Sequence, residues 1–326
     1  MSFQALVANE DVVAFEPITD DDLPKNGVLV DVAYSSLNYK DALAVTRRGR
    51  IVRRFPMVLG IDLAGTVVSS DDPEFAPGDR VVGHGQGLGE NDWGGYTQRE
   101  RVRPEAIVHL PEGISLEQAM QVGTAGFTAM LCVLALERNG VVPDDREIVV
   151  TGAAGGVGSV AVMLLARLGY RVAASTGRPE LEPYFRSLGA TSVIPREELA
   201  QKGAPMQTER WAGGIDTVGG TTLSNLYAQT AYGGAVACCG MAGGHELATT
   251  VWPLILRNVS LLGVSSLKTP RPQRIEAWAR LKRETDFRQL ADLSRTEPLS
   301  RIFELSEEIM AGKVRGRIVI RTGEES

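Results

Sequence analysis

Ile148-Val-Val-Thr-Gly-Ala-Ala-Gly-Gly-Val-Gly-Ser159 is a β-branched run that ends on a cluster of glycines and gives way to apolar, helix-forming residues up to Leu168. A strand that closes on glycines and reopens as a helix points backbone N–H groups and the positive helix end at one place, which suits a pyrophosphate. Gly155 and Gly158 stand where a side chain would obstruct the backbone's approach to a ligand or the helix's contact with a sheet. Ala154, Gly156 and Val157 complete the turn. Ala153 replaces the first glycine of Gly-x-Gly-x-x-Gly, so the order of strand, turn, helix and second strand carries the reading. Ile148 to Ala166 is also the longest uncharged apolar run, nominally long enough to cross a bilayer. Its four glycines and strand-like beginning favour strand, turn and helix over a membrane span.

Downstream, strands and helices alternate. Tyr170 to Ser175, Thr191 to Ile194, Gly214 to Val218, Ala235 to Cys239 and Ser260 to Ser265 read as strands, and Leu181 to Leu188 reads as a helix. This alternation implies an α/β fold with a doubly wound parallel sheet. An NAD site carries Asp or Glu about 20 residues after the glycines, to accept from the ribose 2′-OH. Ser175-Thr-Gly-Arg178 stands there instead. The hydroxyls of Ser175 and Thr176 and the fork of Arg178 suit a 2′-phosphate, which predicts NADPH. A solvated turn arginine is the alternative for Arg178. Gly240-Met-Ala-Gly-Gly244 ends a strand of the same sheet, where Gly240 and Met241 can line the nicotinamide side.

Upstream, the first third reads as β. Gly27 to Ala33, Ala64 to Ser69 and Asp79 to Gly83 are short, β-branched and punctuated by Gly and Pro, which suggests a small barrel or sandwich. Ser115 with Glu117 and Gln118 marks a helix start, and Leu116 to Glu137 keeps helical spacing. Ile275 to Leu293 reads as a charged helix, and Arg317 to Ile320 as a terminal strand that returns to the β-rich part. A chain of 326 residues divides into about two domains. At 44% hydrophobic and 23% charged residues the composition is globular, and 36 glycines exceed the usual share of about 7%. The net charge of −6 argues against a nucleic-acid binder. Cys132, Cys238 and Cys239 form no disulfide framework, and no signal peptide is read at the N-terminus, so a cytoplasmic protein without membrane attachment is expected. Cys238 and Cys239 read as small hydrophobes in a strand. Pairing of the strand Ser260 to Ser265 across a twofold axis would cover an apolar edge, and a homodimer is expected.

Ser36-Leu-Asn-Tyr-Lys-Asp41, Gly60-Ile-Asp-Leu-Ala-Gly65, Gly78-Asp-Arg-Val81 and Gly123-Thr-Ala-Gly-Phe-Thr128, in that order ahead of the glycine-rich turn, resemble the medium-chain dehydrogenase/reductase superfamily over essentially the whole chain. Within it the motifs are similar to those of the zinc-free quinone oxidoreductase-like branch. Asn38-Tyr-Lys-Asp41 and Gly312-Lys-Val-Arg-Gly-Arg317 bring the chain nearest to the acrylyl-CoA reductase group. The resemblance implies a GroES-like β-rich catalytic domain over residues 1–117, completed by 268–326, and a Rossmann NADPH-binding domain over 118–267. It also places Thr124 and Thr128 at the cofactor. Zinc-dependent relatives hold catalytic metal with Cys, His and Cys; the matching positions are Asn38, Ile61 and Gly123, none of which can replace those ligands. Gly85 to Asp92 has no cysteine for a structural zinc, and His84 reads as a loop residue rather than a ligand. No metal is expected.

Without a Lewis acid, a conjugated acceptor is the natural hydride partner, because charge can then move to an oxygen met by hydrogen-bond donors. The resemblance offers Asn38 and Tyr39 as those donors, with Asp41 orienting the loop or pairing with a base such as Lys40 or an arginine. A packed aromatic is the alternative for Tyr39. Five arginines lie within Arg47 to Arg54 of an otherwise acidic chain. A solvated loop is one reading; an anchor for the phosphates of coenzyme A through Arg47 and Arg53, joined by Arg315 and Arg317, is the other. The expected activity is NADPH-dependent reduction of a short α,β-unsaturated acyl-CoA, with acrylyl-CoA foremost. A quinone reductase is the alternative within enzymes, and a non-catalytic NADPH-binding sensor or structural protein the alternative outside them.

Overall fold

A computed structural model, which describes residues 2–323, sets the strand Ile148–Val150 inside a six-stranded parallel sheet. Across the sheet the order is Ser192–Pro195, Val172–Thr176, Ile148–Val150, Trp211–Asp216, Thr230–Cys238 and Ser260–Gly263, every pair parallel. Numbered along the chain this is 3-2-1-4-5-6, the doubly wound order. The direction of winding reverses between Ile148–Val150 and Trp211–Asp216, and a crevice for a ligand opens at such a reversal. Ile148, Val149 and Val150 are wholly buried, as expected of a strand covered on both faces. Val149, Ala173, Ile194, Trp211, Leu226 and Val236 share one core. The helix read after the glycines is Gly156–Arg167, with Val160 to Leu165 buried.

This sheet belongs to a compact unit formed by Ala125–Ser265 and Arg283–Asp286. The other unit runs up to Thr124 and adds Ser266–Lys282 and the chain from Phe287 onward. It is built on two sheets. Val13–Thr19, Ser2–Ala8 and Met57–Val58 form a three-stranded antiparallel sheet. The larger sheet has the order Ser294–Pro298, Arg317–Arg321, Val28–Leu37, Asp62–Ser70, Arg80–His84 and Ile107–His109, with Arg99–Val102 also on Val28–Leu37. The terminal strand lies antiparallel to Val28–Leu37, with Val319 opposite Ser36 and Ile318 opposite Leu37. One step further, this register brings Arg317 to Asn38.

Two local readings can be checked against atoms. The helix Leu116–Arg138 starts on a reciprocal cap, in which Gln118 N donates to Ser115 Oγ (3.0 Å) and Ser115 N to Gln118 Oε1 (2.8 Å). The helix breaks at Gly123, whose φ of 51° and ψ of −166° are not helical. Ile275 to Leu293 is two helices, Arg271–Glu284 and Phe287–Asp292, because the polar Thr285 and Asp286 interrupt it. The strand Ser294–Pro298 has no sequence signal of its own; it forms by pairing with Arg317–Arg321.

Candidate active site

At the carboxyl end of Ile148–Val150, Gly152 turns the chain with φ +59° and Gly155 N closes on Gly152 O at 2.9 Å. Gly155 is the N-cap of Gly156–Arg167. The amides of the first helical turn have no partner within the helix and face outward, ready for an anion. A Cβ at Gly158 would fall 2.7 Å from Ala153 Cα, so glycine is what lets the helix sit against the turn. Ser159 Oγ donates to Ala153 O at 3.0 Å and locks that contact. Ala154 and Gly158 are buried, Gly156 and Val157 half-buried, and Gly155 exposed. The neighbouring strand end is fixed by Thr151 Oγ1 donating to Asp216 Oδ1 (2.7 Å) and Gly219 N to Asp216 Oδ2 (2.7 Å). Gly240 backs onto Thr217, and Met241 is exposed. These residues fit a dinucleotide: the cradle is backbone, and a side chain would fill it.

On the second strand, Ser175 and Thr176 are both buried, and Thr176 Oγ1 accepts from Arg178 N at 3.0 Å. Arg178 is half-buried and Gly177 exposed. Thr128 is buried within the helix Leu116–Arg138.

The β-rich unit holds a buried polar centre around Asp62. Asn38 Nδ2 donates to Asp62 Oδ2 at 3.0 Å and Thr124 N to the same oxygen at 2.9 Å. Ser36 Oγ and Thr124 Oγ1 donate to the carboxylate as well. His84 Nδ1 stands 3.6 Å from Asp62 Oδ1. The indole of Trp278, which can only donate, reaches His84 Nε2 at 3.1 Å. In the neutral ring the proton therefore sits on Nδ1, facing Asp62. His84 is thus a buried strand-end residue and not the loop residue the sequence suggested.

Arg317 is 2% exposed and also points into this centre. Its Nη1 donates to Asn38 Oδ1 (3.1 Å), its Nη2 to Ser36 Oγ (2.8 Å) and its Nε to the Gln121 carbonyl (3.1 Å). Ser36 and Asn38 thus bridge guanidinium and carboxylate. A guanidinium committed in this way does not reach a soluble phosphate, so Arg317 drops out of the expected coenzyme A anchor. Asn38 is equally committed, its amide oxygen to Arg317 and its amide nitrogen to Asp62 and to Asp41 Oδ2 (3.0 Å).

Asp41 is buried and accepts from Asn38 N (3.0 Å) and Ile61 N (2.9 Å). It orients the loop; the base beside it, Lys40, pairs with Glu90 instead. Burial, and then the Asp62 charge, push the Asp41 carboxyl up to about 7, against the bonds it accepts. Burial alone would raise Asp62 too, but the hydrogen bond and charge of His84, with Ser36 and Thr124, hold it well below the usual carboxylate range. Burial lowers Arg317 and, with the two carboxylates, raises the Tyr96 phenol, which donates to Ser36 O at 3.1 Å.

Zinc does not fit here. Asn38 has a bonded amide, Ile61 an apolar side chain, and Gly123 no side chain; a Cβ at Gly123 would meet Arg317, Ser36 and Asp62. The Arg317 guanidinium takes up the space a side chain at 123 would need. Among the described residues no group of three or more His, Cys, Asp or Glu could hold a metal ion.

Tyr39, the first residue of the helix Tyr39–Val45, is 49% exposed and is not packed away. Arg47 is exposed, but its guanidinium donates to the carbonyls of Asn9 and Glu10. Arg53 is exposed, with its backbone N on Glu90 O at 2.9 Å. Arg315 is exposed. Asp62, His84, Ser36 and Tyr96 were not anticipated as a site; the motif around Asp62 was visible, but its partners at 84, 124 and 317 were too distant along the chain to associate with it.

Two family models match the chain, the alcohol dehydrogenase GroES-like domain over residues 24–112 and the zinc-binding dehydrogenase over residues 156–283. "Probable acrylyl-CoA reductase AcuI" of Escherichia coli (strain K12) is 49% identical over 310 residues, 95% of each chain. "Acrylyl-CoA reductase AcuI" of Ruegeria pomeroyi is 47% identical over 325 residues, 98% of each. Among solved structures, the yhdH oxidoreductase from Salmonella enterica in complex with NADP has a TM-score of 0.95 at 48% identity, covering 98% of this chain and 99% of that one.

Proposed function

Since the chain belongs to the medium-chain dehydrogenase/reductase superfamily, in its zinc-free branch close to the acrylyl-CoA reductase group, we propose that it is an NADPH-dependent reductase of short α,β-unsaturated acyl-CoA thioesters, converting acrylyl-CoA to propionyl-CoA. The observation that carries this reading is the near-full-length likeness to two acrylyl-CoA reductases. NADPH, when bound, supplies a hydride to the β-carbon, and a proton taken up at the α-carbon completes the reduction.

The chain's own residues have three tasks. Ala154 to Gly158 receive the pyrophosphate on backbone N–H groups, Thr176 and Arg178 face the 2′-phosphate end, and Gly240 and Met241 face the nicotinamide. Tyr39, with its phenol exposed at a helix start, donates a hydrogen bond or proton to the oxygen on which charge develops. Asn38 and Asp41 hold that turn through the bonds described above, so they are positioning residues. Arg53, exposed, is our candidate for a coenzyme A phosphate, with Arg315.

A homodimer accords with the edge strand Ser260–Gly263 and with the exposed apolar side chains of Trp252, Leu254, Ile255 and Leu256 just before it. A cytoplasmic setting accords with three free cysteines. The net charge of −6 gives no reason to expect nucleic acid as a partner, and the one long apolar helix among the described residues, Leu116–Arg138, is mostly buried rather than available to a membrane.

The test is NADPH oxidation with acrylyl-CoA, crotonyl-CoA and a benzoquinone in parallel, with the acyl product identified. Saturable turnover of acrylyl-CoA to propionyl-CoA is expected. Reduction of the benzoquinone with no turnover of either thioester would replace this reading by the quinone one.

A further inference from the structure

Two of the three free cysteines meet inside the unit that carries the parallel sheet. Cys132 lies on the helix Leu116–Arg138, beyond its break at Gly123, and is wholly buried. Cys239 follows the strand Thr230–Cys238 and is half-buried. Its N–H still donates to Asp216 O at 2.9 Å, so the alternation of the strand carries on through it. Val236 and Cys238 pack into one core with Val149 and Leu226, so Ala237 and Cys239 face the opposite side of the sheet. There the Cys239 thiol stands within hydrogen-bonding reach of the Cys132 thiol. Cys238 turns away, with its Sγ donating to Leu262 O at 3.4 Å. Side-chain alternation thus selects one of two adjacent cysteines as the partner of Cys132.

The two thiols differ in access. Contact with Cys239, and then burial, push the Cys132 thiol up, so it keeps its proton and meets no solute directly. Cys239 is the one an oxidant reaches first. With a peroxide, the O–O bond breaks, one oxygen joins the Cys239 sulfur as a sulfenic acid, and the other leaves as water with the thiol proton. The Cys132 sulfur then displaces the bound oxygen, which departs as a second water carrying the Cys132 proton. One S–S bond replaces two S–H bonds, and the peroxide is the species reduced.

A covalent tie at this point is felt next door. Cys239 runs directly into Gly240, and a Cβ on Gly240 would fall 2.2 Å from Thr217 O, so that backbone has no slack. Gly240 and Met241 are the residues assigned above to the nicotinamide side. We infer that Cys132 and Cys239 are a redox-closed pair: oxidation joins the helix Leu116–Arg138 to the end of Thr230–Cys238 and weakens binding of the dinucleotide. The effect on binding rests on the NADPH reading above; the bond itself does not.

The test treats the whole chain with hydrogen peroxide in the absence of NADPH and maps its peptides without reduction. NADPH is titrated by fluorescence before oxidation, after it, and after dithiothreitol. A Cys132–Cys239 crosslinked peptide is expected, with a fall in NADPH affinity of about tenfold that dithiothreitol reverses. Cys132→Ala and Cys239→Ala, both small apolar replacements, should keep the untreated affinity and abolish the response. Oxidation of Cys239 with no crosslink, or a crosslink through Cys238, overturns the pair. A Cys132–Cys239 crosslink with unchanged NADPH affinity overturns the switch, as does an equal loss in peroxide-treated Cys132→Ala. A reduced wild type that binds NADPH no better than NADH overturns the NADPH reading instead, and the crosslinked peptide then decides the pair by itself.

Discussion

A side chain at Gly123 and the guanidinium of Arg317 cannot occupy the protein together. A Cβ built at Gly123 would fall on Arg317 Nη2 and lie 2.7 Å from Ser36 Oγ and 3.0 Å from Asp62 Oδ2. The bare position at 123 is therefore what leaves room for the guanidinium. The guanidinium puts a positive charge near Asp62; it is delivered by the strand Arg317–Arg321 and holds Asn38 in place through a hydrogen bond.

Removing that guanidinium should cost stability. Arg317→Met leaves Ser36 Oγ, Asn38 Oδ1 and the Gln121 carbonyl without their buried donor and removes a cation from near Asp62, and a loss of about 3–5 kcal/mol is expected from urea unfolding. Gly123→Ala, which adds a Cβ at φ +51° as well as the overlap, should lose about 2–4 kcal/mol. Wild-type unfolding midpoints for both would show that the network is not a unit.

Asp41 gives a pH dependence with a definite sign. Its carboxyl titrates near 3.8 when unfolded and at about 7 when folded, so between those values the folded state holds one proton more. Stability from this group is full below about pH 4 and declines as pH rises to about 7, by up to about 1.4 kcal/mol per pH unit, then levels off. Asp41→Asn keeps the shape and removes the proton, so the difference in unfolding free energy between wild type and variant should change across pH 5 to 7 and be flat above about pH 8. A difference independent of pH would refute the raised carboxyl.

Tyr39→Phe removes one exposed hydroxyl and should leave folding intact. For acrylyl-CoA, kcat should fall by about 100-fold with the NADPH dissociation constant unchanged, and the solvent isotope effect should alter. Wild-type rates would take Tyr39 out of the mechanism.

The two arginines proposed from the sequence should now behave differently. Arg53→Glu should raise KM for acrylyl-CoA by about tenfold and leave KM for a benzoquinone unchanged. Arg47 is tied to the carbonyls of Asn9 and Glu10, so its reversal should disturb that loop and affect both acceptors alike. Equal effects of Arg53→Glu on the two acceptors would remove the anchor.

Ile255, 69% exposed before the sheet edge, tests assembly. Sedimentation of the wild type should give a dimer at micromolar concentration, and Ile255→Glu should shift it toward monomer. A wild-type monomer would show that this apolar face has another use.

How far the chain could be read in advance depended on how local each signal was. The Ser115–Gln118 cap and the glycine-rich turn are closed by residues within a few positions of one another, and both were legible. The turn after the second strand is not closed locally: Arg178 lies within the stretch, while the backbone of Arg196 reaches Thr176 O only through the parallel pairing of two strands. His84 was misread because the stretch from Gly83 to Gly85 looks like a loop, and nothing near it reveals that Trp278 and Asp62 will enclose its ring.

The sequence by itself determined the parallel sheet, the glycine-rich turn and the kinship that names the reaction, since each of these rests on residue types at short spacing. Only the tertiary structure decided what surrounds Asp62 and where Arg317 goes. Those answers require a carboxylate at 62, a bare position at 123 and a cation at 317 to share one buried point. The antiparallel register of the terminal strand against Val28–Leu37 sets that meeting, and no property of the individual segments does.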